Sequence, residues 1–365
     1  QAQRLIDTRV ESRGAWYYPY RFDFPLYHES GRLVRAPWYS ALAQGKALSL
    51  FARLAHVTHQ ARWREAADRT FVSFLNPPSS SAPWVVSVDD EHYLWLVQVP
   101  MRTPADSELI FNGQLSAIFG LWEYVRLTNN AEALALYDGS ITTLRRYEHV
   151  LRVPAWRSTY SRTHPGSASN TYHLLHIRQL AELWLMTGRT EFARLAEALR
   201  DDSPDPVLTE PRTIEFGAGR HDGYEFDILT GKVLSHAHVT LPKSATGTTI
   251  RRMRMKGHGI YYRVASGPLY NYWVLEQPGR TTVRGPVAEL VYNASRHGVL
   301  VAGRTYDAAK YDARGLVVAT TRVRFPSNTV ASFDRTGWIA GERAGHVASG
   351  RLAGYWLPTA HVAFD

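Results

Sequence analysis

The hydrophobic pattern of the chain changes its period once, near residue 202, and this change limits the fold more than any other feature. From about Trp38 to Asp202, apolar residues recur at steps of three and four, which is the period of amphipathic helices. After the Pro- and Asp-rich segment 201–206, runs such as 232–241 and 314–323 alternate between apolar and polar residues, as strands do. The sequence therefore predicts a helical part followed by a β-rich part.

The predicted helices come in three consecutive pairs, each joined by a short polar break. The pairs cover residues 38–58 and 62–74, 111–128 and 131–151, and 171–186 and 190–200. Successive helical hairpins that bury apolar stripes favour an incomplete (α/α) toroid, whose loop ends form a cleft. Residues 76–104 are rich in Pro, Ser and Trp, and we predict that they form a β-hairpin or a long functional loop.

The β-rich part contains an internal repeat. The sequence Val-Ala-Ser-Gly at 264–267, followed by Tyr272-Trp273, recurs at 347–350, followed by Tyr355-Trp356, with a period of ~84 residues. Because a module of this size needs its aromatic residues inside, we predict that these four side chains form the cores of two small barrels. A glycan-binding surface is the alternative.

These patterns together predict a multidomain α plus β protein. The helical toroid is expected over residues 1–204, a first β-module over 205–290 and a second over 291–365. No stretch approaches the ~20 apolar residues of a membrane span, so no membrane-spanning helix is expected. Because the chain starts at Gln1 without an initiating Met, we expect an exported or extracellular protein whose signal precedes this numbering.

Composition narrows the chemistry and the partners. The chain has no Cys, which excludes thiolate nucleophiles, disulfides and Cys-ligated zinc. The 42 Lys and Arg against 33 Asp and Glu give a net charge of +9, which suits an acidic polysaccharide or a cell-envelope glycan, or reflects only an Arg-rich coding bias. Arg252, Arg254 and Lys256 alternate on one predicted strand face, for which contact with solvent is the favoured interpretation. No nucleic-acid-binding motif accompanies the charge, so no nucleic-acid partner is expected, and a homo-oligomer stays open.

One predicted helix carries polar residues suited to proton transfer. Tyr172, His176 and Gln179 lie at i, i+4 and i+7, while Leu174 and Ile177 lie on another face that can be buried. Hydrogen bonding in the core is the alternative role for this phenol and imidazole. A further histidine, at position 173, has the i, i+3 spacing of a metal pair with His176, but no acidic partner or His-Glu-x-x-His helix accompanies it. We therefore expect neither a metal nor another cofactor.

Four ordered blocks carry a resemblance to a known family. They are WYYPYRFDFPLYH at 16–28, APWYSALAQG at 36–45, FNG at 111–113 leading into FGL at 119–121, and YHLLHIRQL at 172–180. Together they resemble the D-glucuronyl C5-epimerase C-terminal domain in its bacterial form. Over residues 15–200 the resemblance implies an incomplete (α/α) barrel that acts on glucuronic-acid polymers, with a heparan-type precursor as the best-known substrate.

The resemblance also implies roles for individual residues. Inversion at C5 removes a proton next to a carboxylate and returns one to the opposite face, so two proton-transfer groups must flank the sugar ring. The resemblance implies that Tyr172, Tyr160 and His176 are catalytic. The residues implied to orient the sugar and its carboxylate, or to stack on the sugar, are His173, Gln44, Asn112, Arg162, Tyr39, Trp38, Tyr18 and Gln179.

One block departs from the family pattern. Where family members have Glu-Glu-Tyr-Pro, this chain has Val97-Gln98-Val99-Pro100, and none of the three replacement side chains can exchange a proton. The acidic segment 89–93 lies nearby, but only a slip of the hairpin would bring it to that place. Three functions remain: an epimerase that uses another residue, a polysaccharide lyase that needs proton transfer on one face only, and a non-catalytic glycan-binding protein.

Overall fold

The computed structural model describes residues 1–26 and 32–364. Eight α-helices lie within these ranges, and those of the three predicted pairs are present as α2 with α3, α4 with α5, and α7 with α8. The helices are α1 (Ala2–Thr8), α2 (Ala41–Thr58), α3 (Ala61–Val72), α4 (Phe111–Thr128), α5 (Ala131–Arg146), α6 (Glu148–Leu151), α7 (Asn170–Thr187) and α8 (Thr190–Asp202). The predicted helix over 131–151 is interrupted at Tyr147, where α5 ends and α6 begins.

Polar caps explain where the paired helices begin and end. Ser40 accepts a hydrogen bond from the backbone N–H of Leu42 at the start of α2, and Asn130 accepts one from Ala133 at the start of α5. His59 and Asn129 follow α2 and α4 in the left-handed conformation that ends many helices. The short polar breaks of the sequence are therefore end signals for the helices.

Two glycines allow α2 and α4 to pack closely. A Cβ atom at position 120 would lie 2.2 Å from the carbonyl oxygen of Gly45, and one at position 45 would lie 2.5 Å from the Cα atom of Ala117. A side chain at either position would overlap the backbone of the facing helix. This contact fixes the position of α4, whose first turn carries the predicted site residue Asn112.

Residues 76–104 contain the predicted β-hairpin. β5 (Val86–Val88) pairs antiparallel with β6 (Leu94–Leu96). Asp89 holds the turn by accepting hydrogen bonds from the backbone N–H groups of Glu91 and Tyr93 and from the side chains of Trp95 and Tyr147. Burial raises the pKa of Asp89, but these bonds outweigh burial and keep the pKa below its ordinary value. The turn is therefore built around a charged carboxylate.

Two seven-stranded antiparallel sheets follow the helices, so the mixed α plus β class is confirmed. The shorter strands of the helical part are β1 (Val10–Ser12), β2 (Ala15–Tyr17), β3 (Phe24–Pro25) and β4 (Leu33–Val34). The strands of the first sheet are β7 (Val207–Phe216), β8 (Gly219–Phe226), β9 (Val233–Leu241), β10 (Ala245–Arg254), β11 (Ile260–Ser266), β12 (Trp273–Leu275) and β13 (Thr281–Val283). The strands of the second sheet are β14 (Val287–Leu300), β15 (Thr305–Tyr311), β16 (Val317–Arg324), β17 (Thr329–Ile339), β18 (Glu342–Val347), β19 (Trp356–Pro358) and β20 (Val362–Phe364).

The two sheets have the same strand order. The first reads β9-β8-β12-β11-β10-β7-β13 and the second reads β16-β15-β19-β18-β17-β14-β20, so each strand matches the one seven places later in the chain. Trp273 and Trp356 begin matching strands, and both are buried. These two indoles therefore lie inside, whereas Tyr272 and Tyr355, which the core interpretation also places inside, are half-buried.

Contacts divide the chain into two compact units. One comprises Gln1–Val153 and Ser158–Gln179, and the other comprises Pro154–Arg157 and Leu180–Asp365. Helix α8 thus belongs to the same unit as both sheets, and β14 runs through the domain boundary predicted at residue 290.

The basic strand face predicted on β10 is only partly solvated. Arg252 is buried and pairs with Glu276 at 2.8 Å, Arg254 is half-buried and Lys256 is exposed. The prediction that this face contacts solvent is therefore wrong for Arg252. No helix among the residues that the structure describes is long and apolar enough to cross a membrane.

Candidate functional site

Ser158 lies between the two imidazoles of helix α7. Its backbone N–H donates to Nδ1 of His173 (2.8 Å), and its Oγ lies 3.0 Å from the same nitrogen and 2.8 Å from Nδ1 of His176. All three side chains are almost completely buried. The i, i+3 spacing on α7 brings both rings to one serine.

The hydrogen bonds at Ser158 determine the protonation of both rings. Because Nδ1 of His173 accepts from a backbone N–H, it carries a lone pair, and the Ser158 hydroxyl proton can also point to it. Oγ then accepts from Nδ1–H of His176, which leaves Nε2 of His176 as an unprotonated acceptor. Burial, with a smaller contribution from His173, lowers the pKa of His176 to about 3, so this imidazole is neutral at neutral pH.

The two candidate catalytic phenols are in direct contact. The ring centroids of Tyr160 and Tyr172 lie 4.3 Å apart, and both side chains are half-buried. Two hydrogen bonds fix the backbone of Tyr160: its N–H donates to the Ser167 carbonyl (2.7 Å), and its carbonyl accepts from the Phe111 N–H (3.1 Å). Tyr172 lies in the first turn of α7, where its N–H donates to Ser169 Oγ. The structure therefore brings together the two tyrosines that the resemblance implies to be catalytic.

Buried amides lie next to the start of α4. Gln179 donates from Nε2 to the Asn112 carbonyl (3.0 Å) and to Ser116 Oγ (2.9 Å), so α7 contacts the first turns of α4. The side-chain oxygens of Asn112 and Gln179 are buried and have no hydrogen-bond partner among the residues that the structure describes. A buried polar atom without a protein partner usually binds water or a ligand.

Gln98 occupies the place of the second family glutamate and lies against the same turn. A Cβ atom at position 113 would lie 2.3 Å from Oε1 of Gln98, so only glycine at this position leaves room for the amide. Within the described part of the chain this Oε1 also has no partner, and the same holds for Nε2 of His176. The position that carries an acid in the family is thus next to Asn112.

Trp38 and Tyr39 form part of an aromatic surface. The Trp38 indole stacks on Tyr20 at 4.2 Å and donates to the Phe22 carbonyl, while Tyr39 packs edge-on against Tyr17 at 5.5 Å. Trp38 and Tyr39 are half-buried. The side chains of Trp38 and Tyr160 pack against one apolar cluster, which consists of Leu26, Val34, Val99 and Ile110. Trp38 is therefore connected by packing to the tyrosine pair.

Gln44 and Tyr18 are occupied within the core. The Gln44 amide donates to the Trp16 carbonyl and to Ser73 Oγ, both at 2.8 Å, and accepts from the Tyr18 N–H at 3.0 Å. The Tyr18 hydroxyl lies 2.7 Å from Thr70 Oγ1, and burial raises its pKa to about 12. Neither residue presents an exposed polar group to a sugar.

Arg162 is engaged by the acidic turn of the β5–β6 hairpin. Its Nη2 lies 2.8 Å from Asp90 and 3.6 Å from Glu91, and its guanidinium lies 4.6 Å from the Tyr147 ring centroid. Burial lowers the pKa of Arg162, but Asp90, Tyr147 and Asp89 outweigh burial and raise it. These ion pairs hold the turn of the β5–β6 hairpin against Arg162. The guanidinium is therefore already paired with carboxylates of the protein.

The sequence interpretation missed a buried carboxylate cluster around Glu108. Its Oε2 accepts from Ser161 Oγ (3.0 Å), Thr163 Oγ1 (2.7 Å) and Nδ1 of His164 (3.0 Å), while Oε1 pairs with Arg32. The cluster fixes the segment that follows Tyr160. Nothing in the local sequence distinguishes this glutamate from a surface one, and the same is true of the serine between the imidazoles.

Among the described residues, no group of three or more His, Asp or Glu side chains is placed to hold a metal ion. The site consists of two phenols, two imidazoles, a serine and several amides, which come from α4, α7, the β6–α4 loop and the loop that precedes α7. These groups exchange protons and bind hydroxyl groups. The chain is thus a mixed α plus β protein. Its helical part carries a polar site in which Ser158 contacts two imidazoles.

The model of the family described as D-glucuronyl C5-epimerase C-terminus matches residues 11–200, which is just over half of the chain. The chain belongs to this family. An uncharacterized protein of Methanocaldococcus jannaschii is 25% identical over 167 residues, which are 46% of this chain and 50% of that protein. The chain thus spans about half the length of the curated relative that it matches.

The solved structures that the chain matches include two sugar epimerases. A sugar epimerase from a ruminal bacterium has a TM-score of 0.40 at 16% identity, covering 57% of this chain and 52% of that one. Cellobiose 2-epimerase from Bacillus thermoamylovorans has a TM-score of 0.38 at 16% identity, covering 54% and 50%. An α-mannanase from Bacteroides thetaiotaomicron has a TM-score of 0.39 at 12% identity, covering 57% and 52%. The low identities carry no activity over to this chain.

Proposed function

We propose that the protein modifies a uronic-acid polysaccharide by removing and returning the C5 proton of glucuronate residues. The observation that carries this proposal is the contact between the Tyr160 and Tyr172 rings. Both tyrosines come from the two segments that also supply the buried cluster of Ser158, His173 and His176. All of these residues lie within the part of the chain that matches the family.

The chemistry requires a base, an acid and support for a developing enediolate. When the C5–H bond breaks, its electron pair moves into the carboxylate and the proton moves to the base; the return step forms a new C5–H bond from the opposite face. The two phenols are the groups in the site that can hold or donate a proton near a sugar ring. Because their rings are in contact, a sugar cannot lie between them, so the proton that returns to the opposite face must come from another group. The neutral His176 adds no positive charge, so it serves as a hydrogen-bonding group. Asn112 and Gln179 are as deeply buried as Gln44 and Tyr18, so their role is to join α4 to α7 and not to contact the sugar directly.

Gln98 favours a second candidate function. An amide at the place of a family glutamate cannot take up or donate a proton at neutral pH. With the remaining groups intact, the site would then bind a uronate polymer without inverting it. A lyase, which removes the C5 proton and expels the C4 substituent, is the other outcome of one-sided proton transfer.

Incubation with glucuronate-containing polymers in D2O distinguishes these functions. Deuterium at C5, measured by NMR, reports epimerase chemistry, and ultraviolet absorbance of unsaturated chain ends reports a lyase. Tyr172→Phe is the control because it removes the transferable proton and keeps the ring. We expect deuterium uptake that the control lacks. Polymer binding with neither signal would replace the proposal by the glycan-binding function.

Two further proposals concern the rest of the chain. The matching strand orders support the proposal that the two sheets are copies of one β-module. An exported location suits a polysaccharide substrate, and detection of the protein outside the cytoplasm by cell fractionation tests it.

A further inference from the structure

Three adjoining cavities lie in the unit that contains both sheets. Their volumes are about 870, 560 and 460 Å³, and Arg343 lines all three. Trp338 lines both the 870 Å³ cavity and the 460 Å³ cavity. Glu342 and Pro358 line both the 870 Å³ cavity and the 560 Å³ cavity. Each volume is within the range of a small-molecule site, and together the cavities form a groove that can hold several sugar units. We call this feature the Arg343 groove.

Positive charge exceeds negative charge where the cavities meet. Asp201 forms ion pairs with two guanidiniums: Arg200 lies 2.8 Å from Oδ1, and Arg343 lies 2.6 Å from Oδ2. Arg254 donates to the backbone carbonyls of Asp202 and Asp201 (2.9 and 3.2 Å). Arg194 lines the largest cavity and forms no ion pair with any described residue. In all, seven arginines and five carboxylates line the three cavities, and this excess of two positive charges leaves a net attraction for an anion.

The groove also contains an aromatic surface held in a fixed orientation. The Trp338 N–H donates to Oδ1 of Asp201 at 2.6 Å, and the Arg343 guanidinium lies 5.5 Å from the Trp338 ring centroid. The indole is half-buried, so part of its ring faces the groove. A fixed indole beside a guanidinium suits a sugar ring that carries a carboxylate, because the ring packs on the apolar surface and the carboxylate binds the cation.

We propose that the Arg343 groove is a second polysaccharide-binding site, which takes a segment of an anionic, carboxylate-bearing glycan chain. The choice of glycan rests on the proposed function. Acidic side chains in the groove, such as Glu342 and Asp307, favour a polymer with widely spaced carboxylates over a nucleic acid, whose closely spaced phosphates they would repel. Such a site would hold the polymer while the tyrosine pair acts on it.

Calorimetric titration of the full chain with hyaluronan oligosaccharides, heparan-type precursor and polygalacturonate tests this proposal. We expect Arg343→Gln to weaken binding of the best of these by about tenfold, because a charge-assisted hydrogen bond is lost. Arg194→Gln is the second variant, since Arg194 is exposed and its replacement leaves the Asp201 cluster intact. Arg351→Gln, an exposed arginine that lines none of the three cavities, is the matched control and should bind as the unmodified chain does.

The outcomes separate this proposal from the proposed function. Unchanged binding in both Arg343→Gln and Arg194→Gln, equal binding of a carboxyl-reduced polymer, equal binding of single-stranded DNA, or no binding of any uronate polymer would each overturn it. Tyr172→Phe should lose C5 deuterium uptake and keep the Arg343-dependent binding. If no polymer gains deuterium but Arg343→Gln still weakens binding, the groove stands and the epimerase function fails.

Discussion

The Ser158 hydroxyl supports two imidazoles at once, so Ser158→Ala should destabilise the protein more than the loss of one ordinary hydrogen bond. Removal of Oγ leaves Nδ1–H of the fully buried His176 without an acceptor, which costs about 2 kcal/mol. Urea unfolding measures this free energy. Ser140→Ala is the control: Ser140 is equally buried, but its hydroxyl donates only to the Leu136 carbonyl within α5, so we expect a change below about 0.5 kcal/mol. Equal stability of the Ser158→Ala variant and the unmodified chain would contradict this role.

Because of His176, the stability of the protein should decrease as the pH is lowered below about 6.5. Its pKa is lowered from 6.5 to about 3 in the folded state, so the unfolded chain binds the proton first as the pH falls. The contribution is complete above pH 6.5 and declines between 6.5 and 3, with a loss of about 1.5 kcal/mol between pH 6.5 and 5. Urea unfolding at both pH values, compared with His176→Gln, isolates this group from the other titrating residues. The same pH dependence in both proteins would show that His176 is not buried as a neutral ring.

Gln98→Glu should restore part of the missing proton transfer. The Gln98 amide oxygen lies at the Gly113 turn next to Asn112, so a glutamate there would place a carboxyl group at the position where the family has one. A general acid or base contributes a factor of about 10² or more, and we expect C5 deuterium uptake to rise by at least about tenfold. Gln98→Leu is the control, which fills the same space without a titratable group. A folded Gln98→Glu variant with the unmodified rate would mean that this position does not face the sugar.

At the scale of elements, the crossing of α2 and α4 determines where the start of α4 lies. Gly120→Ala should destabilise the protein by about 3 kcal/mol, because its Cβ atom would overlap the Gly45 carbonyl and force the helices apart. Gly139→Ala, within α5, is the matched control: its Cβ atom would meet only the flexible end of Leu94 at 3.1 Å, so we expect a change below about 1 kcal/mol. Thermal unfolding of both variants makes the comparison, and similar melting temperatures would contradict the close crossing.

The helix pairs were predictable from the sequence because apolar periodicity and polar caps are local signals. The predicted helix over 171–186 corresponds to α7 (Asn170–Thr187), and the pattern also placed Tyr172, His176 and Gln179 on that helix. The grouping of α8 with the sheets was not predictable, because it depends on contacts between residues far apart in the chain. Ser158 and Glu108 were not predictable for the same reason, because they contact their partners only when separate segments of the chain meet.

At the scale of the whole molecule, the chain combines a helical part that matches the D-glucuronyl C5-epimerase C-terminus family with a unit whose groove carries excess arginine. The epimerase resemblance covers the first part only, and for the second part the sequence suggested a glycan-binding surface only as the alternative to a role in the core. Residues of the Arg343 groove come from α8 and from the hairpin of β17 and β18, and α8 lies far from this hairpin in the sequence. Sequence periodicity therefore predicted the strands but not the cavities among them.

The central claim is that Tyr160 and Tyr172 act together on the C5 proton. The most direct measurement is the rate of C5 deuterium uptake in the unmodified chain, in Tyr160→Phe, in Tyr172→Phe and in the double variant. Because the two rings lie in contact, we predict a loss of about 10² or more in each single variant and no further loss in the double variant. Undiminished uptake in the double variant, with its fold intact by circular dichroism, would contradict the account.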